Sequence, residues 1–281
     1  MTSTAANTRW PAAVRLVVLI IVMFGASTLI AVVVPATTGA PFWCLIVGLV
    51  FAALALLLYH GAIRFVERRS PDELRWADAS KGLLRGAGVG LALFVAAIGL
   101  IAVFGGYKIT GGGSFWDAVA AFGLMAAVAV GEELVFRGVL LRVLEELTGT
   151  TVALVISAVF FGGVHLLNPK ATIWGALSIA MEAGLMLGAA YIATRSLWVP
   201  IGIHFAWNFA ETGIFGATAS GGRTESLSLL HSSMPGSDLV TGGQFGPEAS
   251  IFAIIVSVVP IYFFLRSARR RGLIRARGKQ A

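Results

Sequence analysis

The sequence contains little charge. Only 12% of its 281 residues are Asp, Glu, Lys or Arg, whereas 57% are hydrophobic. Soluble domains carry roughly 25% charged residues, so this chain has too few polar side chains to cover a soluble globule of its size. The composition therefore argues against a soluble enzyme or binding protein and indicates an integral membrane protein.

Cysteine is also nearly absent, since Cys44 is the only one. A single thiol excludes an intramolecular disulfide and a thiolate metal cluster. Because Cys44 is far from the last residue given, we do not expect this chain to be a substrate for prenylation at a C-terminal cysteine motif. No nucleic-acid partner is expected, because no aromatic-interleaved basic surface or binding motif accompanies the net charge of +7.

Long uncharged runs predict the membrane-spanning helices, since a helix needs about 20 apolar residues to cross the hydrocarbon. No Asp, Glu, Lys or Arg lies between Arg15 and Arg64, which leaves room for two helices separated by the turn PATTGAP at 35–41. Further spans are predicted at 83–104, 115–135 or longer, 151–167, 171–193, 197–215 and 250–266. The predicted fold is all-α: a polytopic membrane protein with about eight transmembrane helices.

Basic residues flank these spans unevenly. Arg9 and Arg15 precede the first span, and the segments 35–41 and 166–170 are almost free of basic residues. The other basic residues lie between spans two and three or in the C-terminal tail: Arg64, Arg68, Arg69, Arg75, Lys81 and Arg85, then Arg266, Arg269, Arg270, Arg271, Arg275, Arg277 and Lys279. The positive-inside rule therefore predicts a cell-membrane protein with both termini in the cytoplasm and an even number of spans. The tail is expected to meet anionic headgroups of the bilayer.

Three regions differ in where they place polar residues. Residues 1–110 are predicted to form a three-helix membrane region without buried charge. Residues 111–215 contain the charges and histidines that stand out in apolar sequence, and are predicted to form the catalytic core around an intramembrane polar cavity. Residues 216–281 are predicted to form a flexible, Gly- and Ser-rich non-cytoplasmic loop, the last helix and the basic cytoplasmic tail.

The stretch GEELVFRG at 131–138 places two glutamates and an arginine in an apolar helix. Glu133 and Arg137 are four residues apart and share one face, with the acid first, which is the favourable order. Glu132 points about 100° away from Glu133. Each charge costs about 2.5–3.5 kcal/mol at the centre of a bilayer, so the three together indicate a hydrated cavity. A structural ion pair is the alternative for Glu133 and Arg137, but it does not account for Glu132.

Two later segments each carry a histidine. In FFGGVHLLNP (160–169), His165 follows Phe161 by one turn, and in IGIHFAWNFAE (201–211), His204 and Asn208 share a face. Each histidine alone could be a satisfied interfacial residue, and His204 with Asn208 could be an interhelical hydrogen-bonding pair. Glu182 and Glu211 are also embedded in apolar sequence, without an assigned role.

Carboxylate, imidazole and amide together are the groups that water-activated hydrolysis requires. The segments EELVFR (132–137), FGGVH (161–165) and HFAWN (204–208) occur in this order and resemble the EExxxR, FxxxH and HxxxN/D motifs of the CPBP family. These are intramembrane proteases related to the type II CAAX prenyl endopeptidase and to bacterial Abi proteins. No H-E-x-x-H motif of the soluble zinc proteases is present.

The resemblance implies an eight-helix endopeptidase that cleaves a peptide or membrane-protein substrate in a cavity opening toward the cytoplasm. By position, Glu132 would be the base that activates water, and Glu133 with Arg137 would be the orienting pair. His165 would assist the base or bind metal, while His204 and Asn208 would bind metal or stabilise the oxyanion.

Two versions of this chemistry stay open at the level of sequence. One uses Zn²⁺ held by Glu132 (or Glu133), His165 and His204, since a catalytic zinc usually takes three protein ligands. The other uses a glutamate-activated water without an obligatory metal. Of the two we favour the metal, although Asn208 replaces the Asp of some members and leaves one anionic ligand fewer.

Two other functions fit the same residues. Intramembrane Glu, His and Arg also line the ion paths of proton- or ion-coupled transporters. Against a transporter, the sequence has no repeat with matching broken helices in two halves. The third possibility is a non-catalytic membrane scaffold or immunity protein, in which the motif residues serve packing.

Overall fold

The computed structural model describes residues 10–222 and 227–276, so Arg9, Arg277 and Lys279 of the predicted basic flanks lie outside the described residues. Two short strands, β1 (Lys108–Gly112) and β2 (Leu230–Ser233), are the only departure from helical structure among the described elements. The α-helices are α1 (Ala12–Val33), α2 (Pro41–Ala62), α3 (Ala79–Val103), α4 (Phe115–Glu133), α5 (Arg142–Thr148), α6 (Thr150–Val164), α7 (Ile173–Ile179), α8 (Met186–Thr194), α9 (Trp198–Phe209), α10 (Asp238–Thr241) and α11 (Ile251–Arg270). Four π-helical segments continue or connect them: Ile63–Glu67, Leu134–Leu141, Ala180–Leu185 and Ala210–Ile214.

Ion pairs and strand pairing define the two ends of the helical bundle. At one end Glu146 pairs with Arg15, and the neighbouring Glu145 pairs with Arg195 and Arg275. This end carries both described chain ends, and we call it the terminal end. At the other end, the loop end, β1 pairs antiparallel with β2.

The described chain passes through this bundle eight times. Seven of the passes are helical segments with the length and hydropathy of membrane spans. The predicted span at 197–215 is shorter, with α9 at 12 residues and a five-residue π-helical segment after it. It nevertheless runs from the terminal end, near Arg195, to the loop end, where the carbonyl of Gly213 accepts a hydrogen bond from the backbone of Leu229. The predicted polytopic helical fold is thus confirmed.

Helix α9 is held against α3 by glycine contacts. A Cβ atom at Gly86 would overlap the carbonyl oxygen of Val199, and one at Gly90 would overlap that of Ile203. Small residues allow the backbones of membrane helices to approach this closely. Because Ile203 directly precedes His204, this contact sets the position of a predicted site residue.

Buried charge at the terminal end contradicts one prediction. The N-terminal region was expected to contain none, yet Arg15, Glu67 and Glu73 are all buried. Arg15 and Arg142 donate to the same Oε1 atom of Glu67 at 3.1 and 2.8 Å, and Arg69 donates to Glu73. The prediction was wrong because Arg142, in the middle of the chain, supplies a partner that local sequence does not reveal. These ion pairs fix α5, and with it the end of the helix that carries the GEELVFRG motif.

The described part of the segment 216–249 is folded against the bundle rather than extended into solvent as a flexible loop. Phe245 is buried and its carbonyl accepts a hydrogen bond from the backbone of Gly221, while Trp174 of α7 donates to the carbonyl of Ala249. Gly246 has a φ of 112°, a conformation that residues with a side chain avoid. Part of the glycine content therefore serves tight turns, and the segment closes the loop end.

Candidate functional site

Intramembrane glutamates lie in or beside π-helical segments. Glu133 is the last residue of α4, directly before the π-helical segment Leu134–Leu141. Glu182 and Glu211 lie within the segments Ala180–Leu185 and Ala210–Ile214. π-Helical turns occur frequently at functional sites, because the wider turn redirects side chains and releases backbone groups.

Arg137 connects two of these segments through hydrogen bonds of its guanidinium group. Its guanidinium is buried and donates to Glu133 Oε1 at 2.7 Å and to the carbonyls of Ala183 and Gly184 at 2.9 and 3.2 Å. Its Cζ atom lies 4.4 Å from the ring centroid of Phe161 in α6, a cation–π contact. The pair predicted from i,i+4 spacing therefore exists, and Arg137 also joins three parts of the bundle.

The His204 ring lies between the side chains of Glu132 and Glu133. Its Nδ1 atom is 2.9 Å from Glu133 Oε1, and its Nε2 atom is 3.8 Å from Glu132 Oε2. Since an ionised carboxylate can only accept, Nδ1 is the donor in the shorter contact. The longer distance exceeds a direct hydrogen bond and suits a bridging water molecule.

Glu132 and Glu133 have different surroundings, as their 100° separation on the helix predicts. The Glu132 side chain is 24% exposed, whereas that of Glu133 is fully buried. Among the described residues, Glu132 Oε2 has no hydrogen-bonding partner. Glu133 is thus engaged by Arg137 and His204 through Oε1, and its Oε2 atom, like that of Glu132, has no hydrogen-bonding partner among the described residues.

His165 follows directly after α6 and is oriented by its own helix. Its Nδ1 atom lies 2.7 Å from the carbonyl oxygen of Phe161. Because a carbonyl only accepts, Nδ1 carries the proton, and in the neutral ring Nε2 keeps its lone pair. The Phe161 ring lies 5.0 Å from the His165 ring and 6.1 Å from the His204 ring, so it separates and orients the two imidazoles.

Both histidines line the same pocket. Its polar lining consists of His165, Glu182, His204, Asn208, Ser220 and Glu248, and the rest is mainly apolar. The lining reaches the loop end through Ser220 and Glu248. The family resemblance, in contrast, implies an opening on the cytoplasmic side, where the positive-inside rule places the termini.

Sequence reasoning missed two of these residues, Ser220 and Glu248. The Ser220 hydroxyl donates to Glu248 Oε2 at 2.6 Å, and Glu248 is buried just before α11. Burial raises the pKa of the Glu248 carboxyl, and the hydrogen bond from Ser220 and the nearby His165 and His204 oppose that rise. No periodicity or spacing marks Glu248 in a Gly- and Ser-rich segment, so local sequence held no signal for it.

The donor chemistry of the predicted zinc ligands is suitable, but their arrangement is not. Both histidines donate through Nδ1 to an oxygen atom, as metal-bound histidines usually do. Within the described ranges, however, no group of three or more His, Cys, Asp or Glu side chains is placed to hold a metal ion. The residues in this arrangement therefore do not fit a three-ligand zinc site.

Residues 113–210 match the family model described as type II CAAX prenyl endopeptidase Rce1-like. The match confirms the family resemblance and contains every predicted site residue, namely Glu132, Glu133, Arg137, His165, His204 and Asn208. Ser220 and Glu248 lie outside the matched segment. Neither the curated proteins nor the solved structures contain a match to the chain.

Proposed function

We propose that this chain, in which residues 113–210 form a domain of the type II CAAX prenyl endopeptidase family, is an intramembrane endopeptidase that hydrolyses a peptide bond of a membrane-associated peptide or protein. One observation carries the proposal. The imidazole of His204 lies between Glu133 and Glu132 at the wall of a pocket inside a multi-pass helical bundle.

Glu132 is the general base in this proposal. A water molecule between Glu132 Oε2 and His204 Nε2 would be within reach of both, given their separation of 3.8 Å. Glu132 takes a proton from this water, which then attacks the carbonyl carbon of the scissile bond. Glu133 is given the positioning role instead, because its side chain is fully buried and its Oε1 atom is bound by both Arg137 and His204.

His204 and Asn208 stabilise the tetrahedral intermediate. In the protonated imidazole, Nδ1 donates to Glu133 and Nε2 is free to donate to the oxyanion. Asn208 lines the same pocket one turn later, and its side-chain amide adds a second donor. When the C–N bond breaks, Glu132 returns its proton to the leaving amine. His165 assists through Nε2, which accepts a hydrogen bond from the bound peptide.

Metal plays no part in these steps. Zn²⁺ was the favoured cofactor at the level of sequence, but a three-ligand arrangement does not exist in the described residues. We therefore propose the version in which glutamate activates water.

The proposed location is the cell membrane, with both termini in the cytoplasm. The common position of the two described chain ends supports an even number of passes. The basic residues after α11 support contact of that end with anionic headgroups.

A peptidase assay on the full chain in lipid nanodiscs tests the proposal. The protein is incubated with a library of apolar peptides, and new termini are identified by mass spectrometry. We expect cleavage by the wild type and by His231→Ala, a histidine of β2 outside the pocket. Folded Glu132→Gln and His204→Ala proteins are expected to lose it. Cleavage that persists in folded Glu132→Gln would refute the role of Glu132.

The same variants separate the protease from the two other functions. A carrier would show charge-coupled uptake in proteoliposomes that is lost in Glu132→Gln. A scaffold would show loss of folding, rather than of cleavage alone, in each site variant.

A further inference from the structure

Two buried carboxylates of the pocket have no part in the proposed hydrolysis. Glu182 is 1% exposed and Glu248 is 3% exposed. They reach the pocket from different parts of the chain, Glu182 from the π-helical segment Ala180–Leu185 and Glu248 from the segment that closes the loop end. Charged groups inside a membrane protein are costly, so they usually mark a substrate or ion path.

One oxygen atom of the Glu182 side chain also lacks a hydrogen-bonding partner. This atom, Oε2, is buried and makes no hydrogen bond within the described part of the chain. Leaving a buried acceptor unsatisfied destabilises the folded state. Since Glu182 lines the pocket, a ligand there could supply the missing donor.

The pocket lining contains acidic side chains but no lysine or arginine among the described residues. Its two glutamates are Glu182 and Glu248. The Oε2 atom of Glu248 accepts a hydrogen bond from the Ser220 hydroxyl, which orients this carboxylate. The remainder of the lining is mainly apolar, which suits the aliphatic stem of a long basic side chain.

We propose that Glu182 and Glu248 form a recognition subsite for a basic side chain, lysine or arginine, of the peptide substrate. This inference rests on the proposed endopeptidase function, because the subsite shares its pocket with His165, His204 and Asn208. The aliphatic stem of the basic residue lies along the apolar wall, and its cationic head donates to Glu182 Oε2 and to Glu248. Peptides with a basic residue beside the scissile bond are therefore preferred substrates.

Binding is measured separately from cleavage, using Glu132→Gln protein in nanodiscs. The probes are two short apolar peptides, acetylated and amidated, which carry lysine or norleucine at the same position and are otherwise identical. We expect the lysine peptide to bind at least about 10-fold tighter, a difference of about 1.4 kcal/mol. A second change, Glu182→Gln or Glu248→Gln, brings the two affinities to within about 2-fold of each other.

Asp238→Asn in the same background is the matched control. Asp238 belongs to the same loop-end segment as Glu248 but is exposed and does not line the pocket. It removes the same charge and is expected to leave the lysine preference unchanged. Each protein is first checked by size-exclusion chromatography and thermal unfolding.

Equal affinity of the two peptides for Glu132→Gln protein overturns the subsite, even when neither double variant folds. A lysine preference that survives both double variants overturns it as well. Failure of the proposed function gives another result, in which wild-type protein cleaves no peptide while the Glu182- and Glu248-dependent preference is still measured.

Discussion

The Nδ1 atom of His204 lies 2.9 Å from Oε1 of Glu133, although the two residues are 71 positions apart in sequence. This contact joins the HFAWN motif of α9 to the EELVFR motif at the end of α4. It also turns Nε2 of the same ring toward Glu132, so one hydrogen bond sets the geometry of the other contact. The roles of the two adjacent glutamates should therefore separate on mutation.

Glu132→Gln is expected to abolish catalysis without unfolding the protein. The amide cannot accept the proton of the attacking water, so the rate should fall by about 10²–10⁴-fold. Because the Glu132 side chain is partly exposed and its Oε2 is unpaired among the described residues, stability should change by less than about 0.5 kcal/mol. Peptide cleavage and thermal unfolding in detergent check the two effects. A folded variant with wild-type turnover would contradict the assignment.

Glu133→Gln is expected to destabilise the protein strongly. It removes the charge partner of the buried Arg137, and breaking one partner of a buried ion pair costs about 3–5 kcal/mol. Denaturant unfolding, monitored by tryptophan fluorescence, gives the free energy. Glu133→Gln with Arg137→Met should recover part of the loss, because the second change removes the uncompensated charge. If Glu133→Gln alone is as stable as Glu132→Gln, the pair does not stabilise the fold.

Local sequence predicted the parts of the site that depend on helical spacing. Glu133 with Arg137, and His204 with Asn208, could be placed on common faces because an α-helix repeats every 3.6 residues. The uncharged runs predicted the passes for a similar reason, since membrane thickness sets their length. The structure confirmed seven of the eight predicted spans by length and hydropathy, whereas the segment predicted at 197–215 is shorter.

Long-range partners could not be predicted in this way. Arg137 donates to the carbonyls of Ala183 and Gly184, which have no side-chain signature. Glu248 enters the pocket only because the segment after α9 folds back on the loop end. These contacts depend on how helices pack, and a single sequence shows spacing within helices rather than contacts between them.

Glu248 should make folding stability depend on pH. Burial raises its pKa above the usual value of 4.5, so the folded state favours the protonated carboxyl. The resulting contribution to stability is fully present below pH 4.5 and is lost as pH rises through the raised pKa. Wild type should therefore lose stability relative to Glu248→Gln as pH increases over this range.

Thermal unfolding of both proteins across a series of pH values measures this difference. Asp238→Asn is the control for a charge change in the same segment. Parallel pH profiles for wild type and Glu248→Gln would show that Glu248 does not titrate differently in the folded protein.

Removal of metal should leave activity intact. The proposed steps use Glu132, His204 and Asn208 without a bound ion, so treatment with EDTA or 1,10-phenanthroline should not lower the cleavage rate. Elemental analysis should find no stoichiometric zinc in the purified wild type. Activity that is lost on chelation and restored by zinc, with zinc also absent from His204→Ala, would instead favour the metal-dependent version.

The contact between α3 and α9 allows a test of whether helix packing away from the proposed catalytic residues sets the position of His204. Gly86→Ala would place a methyl group onto the carbonyl oxygen of Val199 and within 2.9 Å of the backbone nitrogen of Ile203. Overpacking of this kind costs about 1–3 kcal/mol, and relief by displacement of α9 would move His204 away from Glu133. We expect a lower unfolding temperature and a fall in cleavage rate of about 10-fold or more, since small misplacements of catalytic groups slow reactions strongly.

Gly88→Ala is the matched control, because a Cβ atom there meets no other atom within 4 Å. Equal losses in the two variants would show that helix α3 responds to any added methyl group, whereas loss in Gly86→Ala alone would tie the position of His204 to the glycine contact.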